Sequence, residues 1–232
     1  SVPATNVVST DRFRSPRSSF TRFAGSGNRG TLQRAVSRYV HSGAGGSRTA
    51  VKRMGSARAS AGRLYGFIQD VQRSGVTNAL TRIGLGDYVG RPATEALAAL
   101  TETICPKGGP LDESIARDAF VEAIINITAD GVTNLESLSL EQWNVFFVEF
   151  VSQSIVDRII NDIGAKGISV PQDVEAARQL QQDVHDFVRG CVSDAFADRL
   201  SATESFAQAE VQQISDSIFA TAFAYLEALG EE

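Results

Sequence analysis

Histidine occurs only at His41 and His185 and cysteine only at Cys105 and Cys191, and these four residues form neither C-x-x-C nor H-E-x-x-H spacing. A structural zinc or a metallohydrolase helix therefore has no ligand set to build on. His185 precedes Cys191 by six positions on one predicted helix. That is nearly two turns, which holds a thiol and a base out of hydrogen-bond reach. Both histidines read as ordinary helix residues. Two distant cysteines make no disulfide framework, and reduced thiols in a cytosolic protein are the expectation.

Long apolar runs are also missing. The longest, around Val145 to Val151, is interrupted by Glu149 and falls far short of the roughly 20 residues a membrane span needs. The opening SVPATNVVSTDRFR has no basic flank followed by an apolar stretch, so no secretory signal is read there. The expectation is a cytoplasmic protein without membrane contact.

Acidic residues are nearly absent from the first part of the chain. Residues 1–63 hold 12 Lys and Arg against Asp11 alone, a net charge of +11. Residues 101–232 hold 7 basic and 23 acidic residues, a net charge of −16, while 64–100 hold 3 of each and balance. The overall charge of −5 thus conceals a dipole. The basic end is expected to face nucleic acid, an acidic protein, or the chain's own acidic half.

What is present in quantity is helical pattern. Leu32, Ala35, Val36 and Tyr39 keep one face over Thr31–His41, SGAGGS at 42–47 breaks it, and a longer helix is expected over Ser47–Arg73. Gly55 and Gly62 weaken that helix unless a neighbour packs closely against them. Pro92 suits a first turn, and Leu97, Leu100 and Ile104 run on to CPKGGP at 105–110. Asp112 is the expected N-cap of the next helix, with Ile115, Ala119, Ala123 and Ile127 inward, until Asp130-Gly131 stops it. Ser139 and Gln142 form a capping-box pattern ahead of Trp143, Phe146, Phe147 and Phe150, in a helix apolar nearly all round that is expected at the centre and closed by Gly164 and Gly167. Ser169 and Gln172 repeat the pattern before a helix carrying Val184, Val188 and Ala195, and a last helix uses Phe206, Ile218 and Leu229. No stretch alternates strictly between turn residues, so strands are not called for. The fold class is all-α, a multi-helix bundle over 31–232 with a basic part at 31–63 and an acidic part at 101–232, preceded by an extended basic N-terminal arm over 1–30.

Catalytic constellations are scarce. Gly25, Gly27 and Gly30 satisfy G-x-G-x-x-G literally, but SSFTRFA is no convincing strand and no acid occurs from Arg12 to Gln69, so a dinucleotide site fails on context. SGAGGSR lacks the Lys and the Ser or Thr that follow it in a P-loop. No catalytic residue, metal or cofactor is assigned, and the chain reads as a non-enzymatic interaction protein.

The feature that invites a partner is RFRSPRSSFTRF. It interleaves Arg12, Arg14, Arg17 and Arg22 with Phe13, Phe20 and Phe23, and Arg34, Arg38, Arg48 and Arg53 extend the basic character. Arginine offers planar donors and phenylalanine offers stacking or pocket-filling area. These residues serve a single-stranded nucleic acid, a grooved acidic protein, or an arm folded onto its own acidic helices; composition does not separate the three.

Several blocks carry a resemblance: RFRSPRSSFTRFAGSG, LQRAVSRYVHSGAGGSRTAVKRMGSARASAGRL, ICPKGGPLDESIARDAFVEAI, NDIGAKGI and HDFVRG. In this order, over most of residues 12–192, they resemble the B component of the bacterial Qat anti-phage defence system. The resemblance implies a protein encoded beside an ATPase, a component similar to the deazaguanine-forming enzyme of queuosine biosynthesis, and a TatD-type nuclease-like protein. It further implies a binding partner, and an acceptor modified at an N-terminal glycine, for the deazaguanine-enzyme-like component. No residue of this sequence is assigned the acceptor role. The eleven arginines and phenylalanines named above are the expected contact residues, with nucleic acid as the alternative ligand.

Overall fold

The computed structural model describes residues 10–105, 111–129, 131–164, 174–201 and 208–229. These form ten α-helices with short 3-10 and π turns between them, and among the described residues there is no strand. The all-α bundle expected from the sequence is what forms.

From Thr10 onward the N-terminal region is helical rather than an extended arm, and residues 1–9 of that expected arm lie outside the described residues. A 3-10 turn, Thr10–Phe13, leads into α1, Arg14–Ser26. Phe13, Pro16, Phe20 and Phe23 recur at helical intervals, and all four are buried. Pro16 sits in the first turn, where its missing N–H leaves no helical bond unmade. Gly27 closes α1 in the left-handed region at φ 58°, its N–H reaching the Phe23 carbonyl at 2.8 Å. Asn28 then caps α2, Arg29–Arg38, by accepting from the Gly30 N–H at 2.8 Å. The G-x-G-x-x-G match is thus a helix-to-helix turn. Fully burying a side chain such as phenylalanine stabilises by about 1.5–3 kcal/mol, which opposes the entropic cost of ordering this short helix.

Helix α2 runs into a π turn, Tyr39–Ala44, ended by Gly45 and Gly46 at φ 85° and 88°. The single helix predicted for 47–73 is two: α3, Ser47–Lys52, and α4, Gly55–Ser74. The break at Arg53 and Met54 places Met54 in the core and turns Arg53 toward Asp162. Gly62 answers the condition set by the sequence, because a Cβ there would run into the Gln212 amide from the last helix, while Gly55 faces open space. Helix α5, Val76–Arg82, is an element the sequence reading did not anticipate. Helix α6, Ala93–Ile104, follows Pro92.

Helix α7, Leu111–Ala129, contains Asp112 inside its first turn; this carboxylate pairs with Arg158 rather than serving as the predicted N-cap. Helix α8, Leu140–Ile163, begins with the predicted capping box, Gln142 N–H to Ser139 Oγ at 3.2 Å and Ser139 N–H to Gln142 Oε1 at 2.9 Å, and ends at Gly164. Helices α9, Val174–Ser201, and α10, Gln208–Ala228, complete the bundle. The second capping pattern at Ser169 and Gln172, together with Gly167 and Phe206, lies outside the described residues.

Helix α8 is the axis. It packs against α4, α7 and α9, while α10 covers α4 and α9 and reaches α2 and α3. Trp143, Phe146, Phe147 and Phe150 meet rings from three other helices: Phe67 stands edge-on to Trp143 at 5.5 Å, Phe120 to Phe146 at 5.2 Å, and Phe196 lies 5.2 Å from Phe147. No described helix is long and apolar enough to cross a membrane.

Candidate functional site

The predicted contact residues divide into those that hold the N-terminal helices to the bundle and those that remain outward. Phe13 stacks on Tyr39 with centroids 6.2 Å apart and planes at 16°. Its ring occupies the space a side chain on Gly43 would need, with Cδ1 2.9 Å from an ideal Cβ there. The Tyr39 hydroxyl donates to Asp162 Oδ2 at 2.8 Å, and Arg53 Nη2 donates to Asp162 Oδ1 at 2.8 Å. Arg158 Nε stands 3.5 Å from the same carboxylate. Burial first, and the neighbouring Asp162 charge next, push the Tyr39 phenol far above its usual range. Arg17 Nε donates to the Ile163 carbonyl at 2.9 Å, satisfying an orphan acceptor at the end of α8.

Phe13, Phe20 and Phe23 are thus core residues, Arg17 is a helix-end tether, and Arg53 belongs to a part-buried ion cluster. The arm folded onto its own body, one of the three readings open from composition, accounts for these five.

Arg12, Arg14, Arg22, Arg34, Arg38 and Arg48 are exposed. The Arg12 guanidinium lies 4.6 Å from the Phe13 ring centre, and Arg38 Nη1 donates to Ser19 Oγ at 2.9 Å. Arg14, Ser15, Ser18 and Arg22 of α1 and Arg38 of α2 surround one open concavity of about 480 Å³. No acid lines it. Among the described residues none of these six arginines has an ion-pair partner, whereas Arg58 pairs with Asp216 at 2.9 Å and Arg53 with Asp162 at 2.7 Å. The α1–α2 face therefore presents guanidinium donors whose charge the fold leaves uncompensated. Arginine suits this role because its planar fork binds carboxylate or phosphate bidentately and it keeps its charge at any physiological pH.

A second concavity, of about 760 Å³, opens over α8 between α7 and α9. Its residues come from three helices that only the fold brings together, so no local stretch of sequence displays it. Glu149, at 6% exposure, is the group at its base. It accepts from Asn126 Nδ2 at 2.8 Å and from Arg189 Nε at 3.0 Å, and His185 Nε2 lies 3.0 Å from Oε1. Burial acts to raise the Glu149 carboxyl, but His185, Asn126 and Arg189 outweigh it and hold it below the usual range. Burial likewise acts to lower the His185 imidazole, yet Glu149 and then Asp186, 3.6 Å from Nδ1, keep it raised. His185 is more than the ordinary helix residue expected: it ties α9 to α8. Its one legible signal was its spacing to Arg189, which puts both side chains on one helix face.

In the cleft the imidazole of His185 is engaged by the Glu149 carboxylate. The cleft's lining includes no hydroxyl, thiol or amine side chain. Cys105 and Cys191 are free and buried, and burial with Asp194 nearby pushes the Cys191 thiol up to about 11. Among the described residues no group of His, Cys, Asp and Glu is arranged to hold a metal.

A family model described as Qat anti-phage system associated protein QatB matches residues 45–226. That segment includes α3 to α9, most of α10 and the cleft over α8; α1 and α2 precede it. No curated protein matches the chain, and no solved structure does.

Proposed function

The chain belongs to the QatB family and is a component of an anti-phage defence system; from that premise we propose that it is a non-enzymatic docking protein whose α1–α2 arginine face receives an acidic surface of the deazaguanine-enzyme-like component. One observation carries the reading. Arg14, Arg22 and Arg38 converge on a concavity without an acid in its wall, while the apolar side of the same helices is committed to the core. A fold that neutralises Arg53 and Arg58 internally but leaves this group uncompensated directs it toward a partner. The same component would use this chain as the body of a modified acceptor, as the family resemblance implies.

The burial of Phe13, Phe20 and Phe23 weighs against the nucleic-acid alternative in its single-stranded form. Bases bind such proteins by stacking on exposed rings, and these rings are inside. What remains for nucleic acid is phosphate contact, which weakens steeply with salt, by a log-log slope of about −0.9 per neutralised duplex phosphate.

Isothermal titration of the full chain with the deazaguanine-enzyme-like component tests the proposal. The triple reversal Arg14→Glu, Arg22→Glu, Arg38→Glu is expected to weaken binding by at least about a hundredfold, or ~2.7 kcal/mol, with thermal stability nearly unchanged because the sites are exposed. Unchanged affinity in a folded triple variant rejects the assignment. Binding of duplex DNA lost in the variant, with component affinity intact, assigns the face to nucleic acid instead.

A further inference from the structure

The cleft over α8 is a second surface, separate from the arginine face. Helices α7 and α9 each pack on α8, and the cleft lining follows α8 from Glu141 to Gln153. With about 1.5 Å of rise per residue, this trench is roughly 18 Å long and accepts a helix of about twelve residues. Its floor is apolar at Ala123 and Phe146, both buried, and at Val145, which is 46% exposed. Among the described residues Val145 is the exposed large apolar side chain in the cleft wall; Val121 and Ile125 of α7, Leu140 and Ile160 of α8 and Tyr225 of α10 are exposed outside its lining.

Charge fixes the kind of occupant. Arg178 is held by Glu175 at 3.2 Å and Arg189 by Glu149 at 3.0 Å. Glu122 and Glu141 have no ion-pair partner among the described residues, so the uncompensated charge of the cleft is negative. The occupant must also bring an apolar stripe, and this excludes a second folded copy as donor through its own basic helices. Phe20 and Phe23 of α1 and Leu32 and Val36 of α2 are already buried in their own core.

We propose that the cleft is a docking groove for one basic amphipathic helix of another protein. That helix sets its apolar stripe on Phe146 and Val145 and its lysines or arginines against Glu122 and Glu141.

The test titrates the full chain into a fluorescein-labelled amphipathic Leu/Lys peptide of about fourteen residues, and into a scrambled peptide of identical composition, by fluorescence anisotropy. The ordered peptide is expected to bind at least about tenfold more tightly than the scrambled one. Glu141→Lys and Val145→Glu, both at exposed positions and checked for retained helicity by circular dichroism, should each reduce that binding by about tenfold. Arg73→Glu, exposed on α4 away from both surfaces, should leave it unchanged. Equal binding of the two peptides, no binding of the ordered one, or indifference to Val145→Glu in a folded variant overturns the proposal.

Discussion

Asp157 faces the α7 side of the bundle from α8, accepts from Gln153 Nε2 at 2.8 Å, and stands in the field of Asp118 and Glu122. Burial first, and those two carboxylates next, push its carboxyl up to about 6 from an ordinary 3.8, against the opposing pull of the Gln153 bond and His185. The folded protein therefore holds this proton more tightly than the unfolded chain does. Its contribution is favourable at low pH and is lost as pH rises from about 4 to about 6. Asp157→Asn keeps the acceptor for Gln153 and removes the ionisation. Relative to the parent, the variant should gain stability as pH rises through that window, by on the order of 1–3 kcal/mol at pH 7. Urea unfolding at pH 4.5 and at pH 7 measures it, and a difference that does not change between the two would remove Asp157 as the titrating group. The Glu149 and His185 pair is present in both proteins, and the His185 charge, which favours ionised Asp157, reduces the expected difference.

At the scale of elements, α1 decides how the basic region is understood. If α1 belongs to the core, Phe23→Ala removes a ring that is 2% exposed and should destabilise the whole protein by about 3–5 kcal/mol. A lowered urea midpoint with unchanged slope is the expected result; a midpoint that does not move would make α1 an appended segment. The spacing of Phe13, Phe20 and Phe23 already carried a helical period, but it was masked by the arginines between them and by Gly25 and Gly27, which invite an extended reading. Elements with local punctuation were legible: the Ser139 and Gln142 capping box, the Gly164 stop and the Pro92 start all stand where the sequence put them. Others depend on distant partners. The break between α3 and α4 follows from Arg53 reaching Asp162, and Asp112 serves Arg158 instead of its own helix, pairings that no local window contains. Helix α5 is short and weakly periodic, so its helicity owes more to packing on α4 than to its own pattern. The cleft over α8 was illegible for the same reason, because Asn126, Glu149, His185 and Arg189 are neighbours only once three helices are packed.

For the molecule as a whole, the charge dipole of the sequence is partly consumed on folding. Arg53 and Asp162, Arg58 and Asp216, and His41 and Glu227 join the basic end to the acidic half, and the Ser47 N–H donates to Glu227 Oε2 at 3.1 Å. Charge that the described ion pairs do not take up includes guanidinium groups on α1–α2 and carboxylates beside apolar side chains at the cleft between α7 and α9. Contacts made through either charged surface should weaken as added salt shortens the range of the exposed charges.

The most direct measurement is an arginine footprint. The full chain is treated with phenylglyoxal, alone and bound to the deazaguanine-enzyme-like component, and modification at each arginine is read by mass spectrometry. Arg14, Arg22 and Arg38 are expected to lose most of their reactivity in the complex while Arg73 and Arg91, exposed elsewhere on the bundle, keep theirs. Reactivity that persists at Arg14, Arg22 and Arg38 in a saturated complex would contradict the claim that the α1–α2 face is where the partner docks.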